Sequence, residues 1–133
     1  MFGIIFLIFI IPFVYAEEVR TFNVDAGDEQ IVTLDLNAGM KVDGSMSITG
    51  GSSNDVDFWI TDPIGNKIVD LGRVSQGTEF EFTANQNGAH SLHFDNAFSV
   101  LSNKNVVLTY NITISGLDGT QLLILAFLVI AII

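Results

Sequence analysis

Between residues 19 and 114 apolar and polar side chains alternate with a period of two, in short runs cut by turn-forming residues. In "DVDFWITDP" Val56, Phe58 and Ile60 share one face, and Asp57, Trp59 and Thr61 the other. In "TEFEFTA" Phe80 and Phe82 oppose Glu79 and Glu81, and in "HSLHFD" Leu92 and Phe94 oppose Ser91, His93 and Asp95. "NVVLTYNITI" lines up Val106, Leu108, Tyr110, Ile112 and Ile114 against Val107, Thr109, Asn111 and Thr113. Val32, Leu34 and Leu36 form an earlier stripe, and Met46 pairs with Ile48. Successive side chains of a strand point to opposite faces, so each run predicts a strand with one buried face.

Turn signals fall between the runs, at residues 25–29, 37–39, 49–55, 62–66, 75–77 and 85–88. In "DPIGN" Pro63 pre-sets the backbone angle of a tight turn, and Gly65 supplies permissive geometry. No stretch of the middle shows helical periodicity. About eight short antiparallel strands with one apolar face each predict an all-β fold, two sheets packed face to face as an antiparallel β-sandwich.

The two ends break this pattern. Residues 1–16, "MFGIIFLIFIIPFVYA", read as a secretory signal peptide with an apolar stretch from Phe2 to Val14 and a cleavage site after Ala16. As a helix the apolar stretch covers about 20 Å, short of a hydrocarbon core of about 30 Å. Residues 116–133 end in unbroken apolar sequence from Leu122, apolar on all sides rather than along one stripe. This segment is expected to be a transmembrane helix. It is short for a span and lacks a following Lys or Arg, so the sequence reads as an incomplete copy of a longer one. The expected organisation is thus a signal peptide (1–16), a β-sandwich ectodomain (17–115) and a membrane anchor (116–133).

Composition changes this picture in two respects. The net charge of −10 lies wholly between Glu17 and Asp118, which disfavours nucleic acid and anionic membrane surfaces as partners. Cysteine is absent, so disulfides, zinc–thiolate sites and thiol nucleophiles are excluded, and packing alone must hold the domain.

Little points to catalysis. His90, His93 and Asp95 form His-x-x-His-x-Asp, but strand alternation puts His90 opposite the other two, and both histidines read as surface or edge groups. Asp55 and Asp57 share a strand face, with Asp62 following the strand, but lack the spacing of a calcium loop and read as a solvated face, weak calcium binding being the alternative. No serine sits in a Gly-x-Ser-x-Gly elbow, and no glycine-rich phosphate loop precedes a helix. No catalytic, cofactor-binding or metal-binding residue is therefore assigned. Asn111-Ile112-Thr113 is an N-glycosylation sequon whose Asn111 falls on the solvent side of its strand. Trp59 lies on a polar strand face, where it either packs under a loop or marks a binding surface.

The segment "FDNAFS" interrupts the most regular part of the pattern. Asp95 and Asn96 can bond neighbouring backbone and turn the chain out of a strand. Phe94 and Phe98 would flank that turn and anchor it in the core, and Ser99 could cap the next element. "DVDFWITDPIGNKIV", then "GTEFEFTANQNGAHSLHFDNAFS", then "SNKNVVLTYNI", followed by an apolar segment, resembles the GOLD domain of the emp24/gp25L/p24 family over residues 19–114. The motif that carries most of the resemblance is Phe94-Asp95-Asn96-Ala97-Phe98-Ser99.

The resemblance implies a GOLD-like sandwich outside the cytoplasm, extracellular or lumenal, held by a single-pass anchor. It implies a non-enzymatic module binding other exported or membrane proteins in secretion and trafficking, touching the lipid bilayer through its C-terminal helix, with self-association left open. Two departures limit the transfer. The cysteine pair common in the family has no counterpart near Leu92 and His93, and no coiled coil separates the last strand from the tail. The "VDFWITDPIGNKI" hairpin also looks like that of pre-peptidase C-terminal domains, which leaves a carbohydrate- or calcium-binding β-sandwich of the cell envelope as the alternative.

Overall fold

The structure is a computed structural model and describes residues 17–114. The expected signal peptide and transmembrane segment lie outside the described residues. Eight strands follow one another: β1 (Glu18–Val24), β2 (Glu29–Leu36), β3 (Met40–Thr49), β4 (Asp55–Thr61), β5 (Lys67–Ser75), β6 (Thr78–Thr83), β7 (Gly88–Asp95) and β8 (Lys104–Ile114). No helix occurs among the described residues.

The strands form two four-stranded sheets, β1-β8-β3-β6 and β2-β7-β4-β5, antiparallel at every pairing. Chain neighbours such as β1 and β2 thus lie in different sheets, and the two layers close over one core. The alternating stripes meet there: Val42, Met46, Ile48, Val106 and Leu108 from one sheet, Val56, Phe58, Ile60, Leu92 and Phe94 from the other, all essentially inaccessible to water. Phe58 packs against Phe80 and Phe94 at ring separations of 5.2 and 5.1 Å, and Phe22 meets Phe94 edge-on at 5.0 Å. Tilted and edge-on pairs at this distance add to area burial because ring edges and faces carry opposite partial charge.

Three strands depart from the ideal stripe for physical reasons. β1 and β5 lie at sheet edges, as β2 and β6 do, but β1 buries only Val24 and β5 only Val74, so neither shows strong alternation. β3 runs well beyond the short Met46–Ile48 signal because Gly44 interrupts its stripe. A Cβ at Gly44 would lie 2.6 Å from both the Phe80 ring and the Thr109 carbonyl oxygen, so the Phe80 ring occupies the space a side chain would need.

Candidate partner-binding end of the sandwich

β7 ends at Asp95 and β8 begins at Lys104, leaving residues 96–103 as a loop at one end of the sandwich. Its foundation is Asn96, which is 0% exposed. The Nδ2 group donates to the carbonyls of Val24 (3.2 Å), Asp25 (3.2 Å) and Ser102 (2.8 Å). The Asn96 N–H donates to the Asp28 carbonyl, and the Asn96 carbonyl accepts from the N–H groups of Gly27 and Ser99. One side chain thereby satisfies backbone groups of the β1–β2 turn and of the far end of its own loop, groups that would be costly to leave unpaired. Asn96 Oδ1 is buried without a partner among the described residues. Asp95 Oδ1 accepts the Ala97 N–H at 2.6 Å, the local side-chain-to-backbone turn that the residue types suggest.

Phe94 sits in the core, as the pattern requires. Phe98 does not: it is 37% exposed and lies outside the core cluster. The expected pair of anchoring rings is corrected to one. Phe94 and Asn96 take successive inward positions, and the turn closed by the Ser99 N–H on Asn96 leaves Phe98 at the surface. There its ring lies under the Arg73 guanidinium, 3.3 Å from the centroid, with Lys104 Nζ at 5.4 Å. A cation over a ring face is attracted by its quadrupole. Ser99 closes the turn with its backbone, and the element that follows is β8 rather than a helix to cap.

Below Phe98 runs a charge network. Lys104, 3% exposed, donates to Asp55 Oδ1 at 2.8 Å. Arg73 lies 3.5 Å from Asp55 and forks onto Asp57 at 2.7 and 3.4 Å. Burial would raise the Asp55 pKa, but the Lys104 hydrogen bond and the charges of Lys104 and Arg73 outweigh it and hold the carboxyl below its ordinary value. Asp55 is therefore a buried partner, not part of a solvated face. One signal in the sequence could have found the network: Lys104 occupies the inward register of Val106, Leu108 and Tyr110. A cation in an apolar stripe demands a buried anion.

The remaining polar candidates lie elsewhere. Asp62 closes the β4–β5 turn: Oδ1 accepts the N–H groups of Ile64 and Asn66, and Oδ2 accepts from Asn85 Nδ2 at 3.1 Å. The Asn85 hydrogen bond, followed by those of the backbone, lowers the Asp62 pKa against the opposing effect of burial. His90 is fully buried in the inward register of Leu92 and Phe94, stacked near Phe82, which corrects its reading as a surface group. His93 lies on the outer face with both nitrogens engaged, Nδ1 by Glu29 and Nε2 by Thr61 Oγ1 at 2.9 Å. Trp59 lies between His93 of β7, stacked at 4.9 Å, and Lys67 of β5, rather than beneath a loop. Asn111 is half-buried on the outer face of the other sheet, opposite Asp43, and lines a cleft of about 610 Å³ with Glu79, Glu81 and Thr109. Among the described residues no group of three or more His, Cys, Asp or Glu is placed to hold a metal ion.

Comparison with known proteins matches residues 20–121 to the emp24/gp25L/p24 family/GOLD. Suppressor/enhancer of lin-12 protein 9 of Caenorhabditis elegans is 33% identical over 91 residues, covering 68% of this chain. The chain spans 44% of the length of that relative. Among solved structures, PliG of Aeromonas hydrophila, a periplasmic lysozyme inhibitor of g-type lysozyme, is similar with a TM-score of 0.49 and 17% identity, over 74% of this chain and 85% of that one.

Proposed function

The chain belongs to the emp24/gp25L/p24 family, and from that premise we propose that it is a membrane-anchored, cargo-receptor-like interaction module of protein transport. In this reading residues 116–133 anchor the chain, the GOLD sandwich lies on the extracytoplasmic side, and other exported or membrane proteins are its partners. The observation that carries the reading is the family match over residues 20–121, which spans nearly the whole sandwich and continues past β8.

The geometry supports a binding role. Ten steps of extended chain, about 34 Å, separate Lys104 at the loop end of β8 from Ile114, where the strand runs out toward the tail. An anchor at the tail would present the loop end away from the bilayer. The side chains that a calcium or sugar site would draw on are engaged internally: Asp55 by Lys104, Asp57 by Arg73, Asp62 by its own turn, and the Trp59 ring by His93 and Lys67. Asn111 is the candidate glycan acceptor of the same face-and-compartment reading.

Carbonate extraction and protease protection of the tagged full chain, followed by crosslinking in intact cells, test the proposal. The expected chain stays with membranes, its sandwich is shielded from added protease, and exported proteins are crosslinked to it. A chain released by carbonate, digested from the cytosolic side and free of protein adducts would refute it.

A further inference from the structure

The loop at residues 96–103 is rigid at its base and apolar at its tip. Val100 is 87% exposed and Leu101 92% exposed, next to each other in the chain, and Phe98 two positions earlier is 37% exposed. Isolated exposed aliphatic residues need no explanation, but a contiguous apolar tip on a fixed loop marks an interaction surface. The base is fixed by the three Asn96 Nδ2 bonds, by Asn103 Oδ1 accepting the Ala26 N–H at 2.9 Å, and by Arg73 over Phe98. Gly50, just after β3, lets the chain approach the loop closely: its φ is 124°, and a Cβ there would lie 2.3 Å from the Asn103 carbonyl oxygen. A tip held in place in advance loses less freedom on binding.

The base of the loop is rimmed by acidic residues. Asp25, Asp28 and Asp95 flank the loop through the contacts of Asn96 and Ala97, and none is in an ion pair among the described residues. The nearby cations are matched, Arg73 by Asp57 and Asp55, and Lys104 by Asp55. Anionic lipid and a second copy of this acidic chain would both be repelled by this rim.

We propose that Phe98, Val100 and Leu101 form the docking tip of this protein and insert into an apolar groove, edged by Lys or Arg, on an exported partner protein. The inference rests on the reading of the chain as a protein-interaction module and names its surface. Apolar insertion supplies the desolvated centre of the interface, and the rim carboxylates supply steering and register.

The test replaces Leu101, or as a control Thr33 on the outer face of β2, with the photoreactive amino acid benzoylphenylalanine in the full chain and irradiates intact cells. The expected result is a protein adduct from position 101 and none from position 33, with the crosslinked peptide apolar and flanked by Lys or Arg. Asp25→Asn, Asp28→Asn and Asp95→Asn together keep the acceptor oxygens of the turns, and are expected to lower the position-101 adduct roughly tenfold while the melting temperature stays unchanged. Adducts from position 33 but not 101 would overturn the docking tip and leave the interaction reading standing. Absence of protein adducts at both positions would count against both. A lipid adduct, a second copy of this chain, a peptide without basic residues, or an adduct insensitive to the triple variant would each overturn the proposal.

Discussion

Replacing Lys104 with methionine keeps most of its volume and removes its charge. Asp55, with 12% of its side chain exposed, then has only Arg73 at 3.5 Å as a cationic neighbour. Removing one member of a buried ion pair typically costs about 3–5 kcal/mol, because the other charge stays buried without compensation. Arg73 and the residual exposure of Asp55 place Lys104→Met at the lower end, about 3 kcal/mol, or roughly 12–24 °C in melting temperature for a domain of this size. The additional Asp55→Leu substitution removes the stranded charge, so the double variant is expected to regain most of that loss. Equilibrium urea unfolding in detergent, followed by fluorescence of the single tryptophan, Trp59, measures each corner of the cycle. A sign follows for pH. The Asp55 pKa is lowered in the folded state, so its contribution is present above the unfolded value near 3.8 and is lost as pH falls through the folded pKa. The gap between wild type and Lys104→Met should therefore be full at pH 6 and narrow below about pH 4. A loss under about 1 kcal/mol for Lys104→Met, or a double variant as unstable as the sum of the singles, would refute the buried pair as the support of this end.

Asn96→Leu strips the side-chain donor from the carbonyls of Val24 and Ser102, while the Asp25 carbonyl keeps the Asp28 N–H, and should cost about 1–3 kcal/mol in thermal melting. Gly44→Ala forces a methyl group against the Phe80 ring and the Thr109 carbonyl, and should cost about 1–3 kcal/mol in urea unfolding. Leu101→Ser, at a position 92% exposed, should move stability by no more than about 0.5 kcal/mol, which separates the tip from its base. The chain should show a glycosidase-sensitive shift in gel mobility that Asn111→Gln and Thr113→Ala each abolish.

Much of the fold was readable because alternation is local. Val56, Phe58 and Ile60 must face one way once their segment is extended, and β6, β7 and β8 follow the same logic. Two edge strands, β1 and β5, were faint because a strand with one buried residue carries no stripe, whereas the edge strands β2 and β6 alternate clearly. At the corner, Asp95 acted as its residue type suggests, whereas Phe98 did not. An aromatic residue beside a turn is apolar in either place, and a stacked arginine makes the surface position acceptable. His90 was misjudged by residue type although its register with Leu92 and Phe94 pointed inward.

From the order of residues alone came six of the eight strands with their apolar faces, the Asp62 turn and the two-layer architecture, because each depends on neighbours a few positions apart. Tertiary structure decided what depends on partners distant in the chain. It set the order of strands within each sheet, since period-two stripes are interchangeable until packed. It also joined Asp55 to Lys104 across 49 positions and used Asn96 to tie the β1–β2 turn to the β7–β8 loop. Those contacts become favourable only when the sandwich closes and removes water, and no short window of sequence contains both members.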